Sequence, residues 1–375
     1  MRRPASSLPE AIQPSGDVFM PHATSLVARL FASIGRQLPA GRRPLVVLVL
    51  LLAVRHSGPQ SAGAAEAASA RPEPAAAAAT EARSAVVDTL AAALADPDRQ
   101  VRLEAARALE RIGPGCTEAV VRCLQHADPS VRVGAIIVLA RFGTDAKQAV
   151  PALTGCLADP VVEVRFAATK ALRTMGREAQ AAAPALARLL ADPDRMVRMN
   201  SADALEAIGP PAVSPVADML VSATDAAART AAADVLRRIG AEAGTAVPAL
   251  AGAMKDPAAE VRNAAAQALR AIDRASLPAA AALGAALNDP DRTVRLSAAG
   301  ALERLGTAGL PHVTAQLSSD DWQTRVLALR VIELYGTEAQ SAAPAVSARL
   351  LDSEPAVREA AARSLRAVLG KDASP

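Results

Sequence analysis

From residue 86 onward, apolar positions recur at helical spacing in a short run, pause at a polar turn, and recur again. Within residues 181–208, Leu186, Leu189 and Leu190 share one face of the first run, and Val197, Ser201, Leu205 and Ile208 follow at steps of four, four and three. Each run predicts an amphipathic helix of roughly three turns. Proline stands near the start of the first helix at Pro151, Pro184, Pro215, Pro248, Pro278, Pro311 and Pro344. A first turn tolerates it, because that N–H has no intrahelical partner. The second helix runs into Gly113, Gly143, Gly176, Gly209, Gly240, Gly306, Gly336 or Gly370, with Asp273 in the sixth unit. These positions predict left-handed caps. Asp-Pro between the two helices predicts a tight turn, or an N-cap with proline at the first helical position.

One arginine per unit follows that turn: Arg102, Arg132, Arg165, Arg198, Arg229, Arg262, Arg295, Arg325 and Arg358, at spacings of 30, 33, 33, 31, 33, 33, 30 and 33 residues. Such a period marks a solenoid, in which each unit buries its apolar face only against its neighbours. The expected fold is all-α, a right-handed α-solenoid of about nine helix pairs over residues 86–370, with 371–375 a tail. The phrase DPDRQVRLEAARALERIG from Asp96 returns as DPDRMVRMNSADALEAIG from Asp192 and DPDRTVRLSAAGALERLG from Asp289. The pattern L-x-D-P-x-x-x-V-R-x-x-A-A-x-A-L-x-x-x-G resembles the short HEAT-like repeat of the phycobilisome-lyase type, a subclass of the armadillo/HEAT superfamily. The resemblance implies the helix-pair fold over residues 86–370. It implies no single function, because the repeat serves many unrelated proteins.

Asp289 and Arg295 are six residues apart and would point about 240° apart on one helix. An arginine early in a helix also faces the positive end of the dipole. Its expected partner is therefore an acid from the neighbouring unit. This predicts a structural Asp–Arg ladder between successive turns, built from Asp96, Arg102, Asp128, Arg132, Asp159, Arg165, Asp192, Arg198, Asp256, Arg262, Asp289, Arg295 and Arg358.

Composition agrees with an array. Aromatic residues are 2% of the chain and the 51% hydrophobic share is mostly small side chains, which suits thin layers of closely spaced helices. The net charge of +3 is misleading, because residues 1–64 alone carry +5 and leave −2 for the remainder. That balance excludes general affinity for nucleic acid. Cys116, Cys123 and Cys156 lack metal-ligand or framework spacing and are expected to be small apolar fillers.

The front of the chain has a different character. Arg42 and Arg43 precede an apolar run from Leu45 to Val54, and small residues around Ala62-Gly63-Ala64 follow. This is the order of a secretory signal, and the run is shorter than the roughly 20 residues of a membrane span. Residues 1–63 are thus expected to be an extension carrying a signal peptide. Residues 64–85 are expected to be a flexible or partly helical Ala/Pro-rich tether. Periplasmic or otherwise extracytoplasmic export follows, the alternative being a cytoplasmic protein if the segment is not a signal.

Candidate chemistry is sparse. The repeats hold two histidines, His126 and His312, and no metalloprotease, hydrolase or phosphate-loop motif. No catalytic residue, cofactor or metal is expected. The expected function is a non-catalytic protein-binding scaffold using a concave face lined by the second helices. The alternative is an accessory, lyase-like subunit that presents a substrate protein to an enzyme. The residues after the ladder arginine are apolar in the first four units, so Leu103, Val133, Ile137, Phe166 and Met199 form a candidate contact strip for a protein or peptide. Packing against the neighbouring repeat is the other reading of these positions. Trp322, at the turn of the irregular eighth unit, is a further candidate.

Overall fold

The computed structural model describes residues 74–370, with side chains from Thr80; the expected signal peptide, the front of the tether and the tail lie outside the described residues. The chain divides into two units, 1–90 and 91–375. In the first, the described residues belong to helix α1 (Pro74–Ala93), so the tether is helical from Pro74 onward.

The second unit alternates short and long helices. In chain order these are α2 (Arg99–Ile112), α3 (Thr117–Arg122), α4 (Pro129–Phe142), α5 (Val150–Cys156), α6 (Val162–Met175), α7 (Ala183–Arg188), α8 (Arg195–Ile208), α9 (Val213–Ser222) and α10 (Ala226–Ile239). They continue as α11 (Val247–Ala253), α12 (Ala259–Ile272), α13 (Ala280–Ala285), α14 (Arg292–Leu305), α15 (Leu310–Ala315), α16 (Trp322–Tyr335), α17 (Ala343–Ala348) and α18 (Pro355–Leu369). No strand interrupts them among the described residues. The even-numbered helices are the second helices of nine tandem units, and the chain is an all-α helical repeat solenoid.

A side-chain cap opens six of the second helices, while α6, α12 and α18 begin at Val161, Ala258 and Glu354 without one. Asp98, Asp128, Asp194, Asp225, Asp291 and Asp321 accept a backbone N–H of the first turn. First helices are composite, which differs from the expected three turns of α-helix. In the fourth unit α7 covers Ala183–Arg188 between 3-10 turns at Gly176–Ala182 and Leu189–Ala191. Proline at the first turn and tight i→i+3 ends account for the short α portion.

Every predicted cap glycine has positive φ, and Asp273 joins them at φ 63. The caps are not the ordinary left-handed kind, however. Asp273 has ψ −136, beside −139 at Gly209 and −154 at Gly306. That region is strongly disfavoured for any residue with a Cβ. Asp273→Gly should therefore stabilise the sixth unit by about 1–2 kcal/mol. The exposed Arg304–Asp273 pair that it removes offsets little of this. Thermal unfolding of the two proteins measures the difference, and an unchanged or lower midpoint would show that Asp273 is unstrained.

The core is thin and continuous. Ala135, Leu139, Ala168, Leu172, Ala204, Leu205, Ala232 and Leu236 are fully buried. Alanine lets neighbouring second helices approach closely. The approach is uneven: second helices pack tightly within units 2–4, 5–7 and 8–9, but only loosely between α2 and α4, α8 and α10, and α14 and α16. These three junctions are the ones with repeat spacings of 30 or 31. Units 2–4 and units 5–7 thus form two three-unit blocks, flanked by unit 1 and by the pair of units 8 and 9.

Candidate functional site

The recurring arginine does two jobs. In every unit its Nη1 donates to two backbone carbonyls of its own turn, as Arg198 does to Asp192 O (2.7 Å) and Pro193 O (3.0 Å). Its Nε and Nη2 edge then faces the next turn. There Arg132 meets Asp159, Arg165 meets Asp192, Arg229 meets Asp256, Arg262 meets Asp289 and Arg325 meets Asp352, at 2.7 to 2.8 Å. The same aspartates accept a backbone N–H within their own turn, as Asp192 does from Asp194. Hydrogen bonds from Arg229 and Arg325 hold the Asp256 and Asp352 carboxyls below the usual carboxylate range. The ladder is real, with corrections to its membership.

Arg102, Arg198 and Arg295 are not rungs, because the next unit presents His126, Ala223 or Ser319 where the others present Asp. This register is fixed by the carbonyl that the following arginine grips: Arg132 takes His126 O, Arg229 takes Ala223 O and Arg325 takes Ser319 O. Asp128 lies two residues further on and caps α4 instead. Asp96 belongs to the first turn and accepts the N–H of Asp98. Arg358 belongs to the ninth unit and, among the described residues, grips Asp352 O and Ser353 O without an acid opposite. Conversely, the sequence reading omitted Arg229, Arg325 and Asp352. A unit that lacks its own turn Asp breaks the rung before it and leaves the rung after it intact. The missing rungs coincide with the three loose junctions. At the last of these, neutral bonds substitute: Thr324 Oγ1 to Asn288 Oδ1 (2.9 Å) and Tyr335 OH to Leu302 O (2.7 Å).

The contact strip is divided by the same block structure. Leu103 is 42% exposed, Ile137 48% and Met199 49%, whereas Val133 and Phe166 are half-buried between closely packed second helices. Leu103 and Met199 stand out because the next second helix is held away across a loose junction, and Leu296 is exposed in the same position of the seventh unit. Phe166 is therefore partly inter-repeat packing, and Met199 is the more prominent anchor. Trp322 is 41% exposed at the start of α16 and lies apart from the strip, four units from Met199.

The thiols behave as fillers. Cys116 and Cys156 are buried, and burial pushes the Cys156 thiol up to about 11. His126 accepts the Asp128 N–H within a turn, and His312 packs in α15 beside Gly284. Among the described residues there is no cluster of three metal-ligating side chains and no helix long and apolar enough to cross a membrane. A cavity of about 460 Å³ opens on the face of α10, α12 and α14, lined by Arg237, Gln267, Arg270, Ala271, Ser297 and Arg304. The sequence reading did not anticipate it.

Comparison with known proteins agrees with this architecture. A family model described as HEAT repeats matches residues 87–173, 162–237 and 213–303. A HEAT repeat associated with sister chromatid cohesion matches residues 344–361. No curated protein matches the chain. Among solved structures, an engineered protein is 22% identical with a TM-score of 0.40, covering 91% of this chain and 99% of its own. A chain from the structure of Kap95p with RanGDP is 16% identical with a TM-score of 0.42, covering 80% of this chain and 50% of its own. Human deoxyhypusine hydroxylase is 22% identical with a TM-score of 0.29, covering 68% and 98%. Likeness at this level carries no functional argument. The family model spans more than half of the chain in overlapping repeats, and the chain belongs to the HEAT repeat family.

Proposed function

We propose that the array is a protein-binding scaffold, without chemistry of its own, that works through the face formed by its second helices. The observation that carries this reading is the set of exposed large apolar side chains, Leu103, Ile137 and Met199, on a face otherwise built of alanine and charge. Such side chains gather where a soluble protein makes contacts.

The test compares capture of binding proteins from the native host by the wild-type body and by Met199→Glu. Met199→Glu is expected to lose its principal partner while its melting temperature stays nearly constant, because the side chain is already half in solvent. Phe166→Glu is expected to lower the melting temperature as well, since it places a charge between packed helices. Glu359→Lys, at the equivalent position of the ninth unit, should bind normally. Undiminished capture by both Met199→Glu and Ile137→Glu would remove the strip from the binding surface.

A further inference from the structure

The block architecture allows one part of the chain to be compared with another. Units 3 and 4 correspond to units 6 and 7 at an offset of 97 residues, as the ladder arginines Arg165 and Arg262, and Arg198 and Arg295, show. In the earlier pair, Arg173 on α6 reaches Asp203 on α8 at 3.6 Å. The corresponding arginine, Arg270 on α12, faces Gly300 on α14. A Cβ at Gly300 would lie 3.4 Å from the Arg270 Cζ and Nη1, so the guanidinium rests against bare helix. Arg270 makes no ion pair among the described residues. The cavity of about 460 Å³ opens at this point.

Other substitutions add guanidinium groups around Arg270. Arg237 and Arg304 line the cavity where the earlier block has Ala140 and Ala207, while Gln267 replaces Lys170. Asp234 and Asp273 also stand where the earlier block has Ile137 and Gly176, so the two added arginines bring their own acids and Arg270 is the guanidinium whose acid is lost. Arg237 retains Asp234 at 3.1 Å and Arg304 retains Asp273 at 3.0 Å. Both pairs are exposed and hold little of each guanidinium's capacity. The rungs Arg229–Asp256 and Arg262–Asp289 tie units 5, 6 and 7 together, so the three arginines project from a tightly packed block.

We propose that this cavity receives an acidic side chain from a protein partner. The partner's carboxylate takes the place that Asp203 fills in the earlier block and pairs with Arg270. Arg237 and Arg304 attract neighbouring acids of the same segment, and the Gln267 amide donates to it. This rests on the protein-binding reading and adds the chemistry of the partner: an acidic segment, recognised at a position separate from Met199.

The experiment is isothermal titration of the full-length protein with a capped hexaglutamate peptide, with hexaglutamine and inorganic pyrophosphate as comparison probes. Gly300→Asp restores the chain's own carboxylate, and Arg270→Gln removes the receptor; each should weaken hexaglutamate binding at least tenfold. Circular dichroism establishes that each variant is folded, and Arg270→Gln serves if Gly300→Asp is not. Arg173→Gln, at the occupied equivalent, should bind as wild type does. Hexaglutamine should give no heat. No hexaglutamate binding, or binding unchanged in both variants, overturns the proposal. Pyrophosphate binding tighter than hexaglutamate overturns it too, in favour of a phosphate site. If Met199→Glu abolishes partner capture while Gly300→Asp and Arg270→Gln do not, the scaffold reading stands and this inference alone fails.

Discussion

Replacing Arg165 with alanine is expected to destabilise the block of units 2–4 by about 3 kcal/mol. Its Nε and Nη2 donate to Asp192 at 2.8 and 3.1 Å, and the Asp192 side chain is 4% exposed. Removing the arginine leaves that carboxylate buried and uncompensated, with only its own-turn N–H bond remaining. Breaking one side of a buried pair costs roughly 3–5 kcal/mol, and some water entry at the turn edge favours the lower end. Arg198→Ala should cost only about 1 kcal/mol, because it loses two carbonyl bonds and strands no acid. Native-state hydrogen exchange reads the difference directly, since units of a repeat array couple only to their neighbours. Arg165→Ala should accelerate exchange in α6 and α8 while α14 to α18 keep their protection. Equal effects of the two substitutions would mean that the rung contributes nothing beyond the grip on the turn.

The second large effect is expected at Gly284, where two first helices touch. A Cβ there would lie 2.8 Å from the His312 Cβ and 3.0 Å from the His312 backbone oxygen. Glycine to alanine inside a helix ordinarily stabilises by up to about 1 kcal/mol, but here the added atom meets backbone that cannot turn aside. Gly284→Val should destabilise by about 3 kcal/mol, combining overpacking with a β-branched side chain in a short helix. The damage should fall on units 7 and 8, whose second helices are already loosely packed and lack a rung. Denaturation followed by exchange in α13 and α15 tests this. A valine variant as stable as wild type would mean that the first helices slide apart without penalty.

The sequence alone determined the unit. Apolar spacing, proline at the first helix, an acid at the N-cap and glycine after the second helix are local requirements of backbone geometry, so each appears in the residues that satisfy it. The positive φ at eight glycines, and at Asp273 in place of a ninth, was legible for that reason. The ladder was legible in principle, because an arginine six residues after an aspartate cannot reach it on one helix. Its membership was not. Whether Arg198 has a partner depends on residue 223, in the next unit, and on a two-residue shift that makes Asp128 and Asp225 caps rather than rungs. Only the tertiary structure decided that the second helices of units 2–7 close into two blocks of three, which exposes Met199 while Phe166 is half-covered by identical local patterning. It also decided that Arg270 lies over Gly300. A missing side chain carries no pattern of its own in the sequence, and its consequence, an open space beside an unpaired charge, exists only once two helices 30 residues apart are side by side.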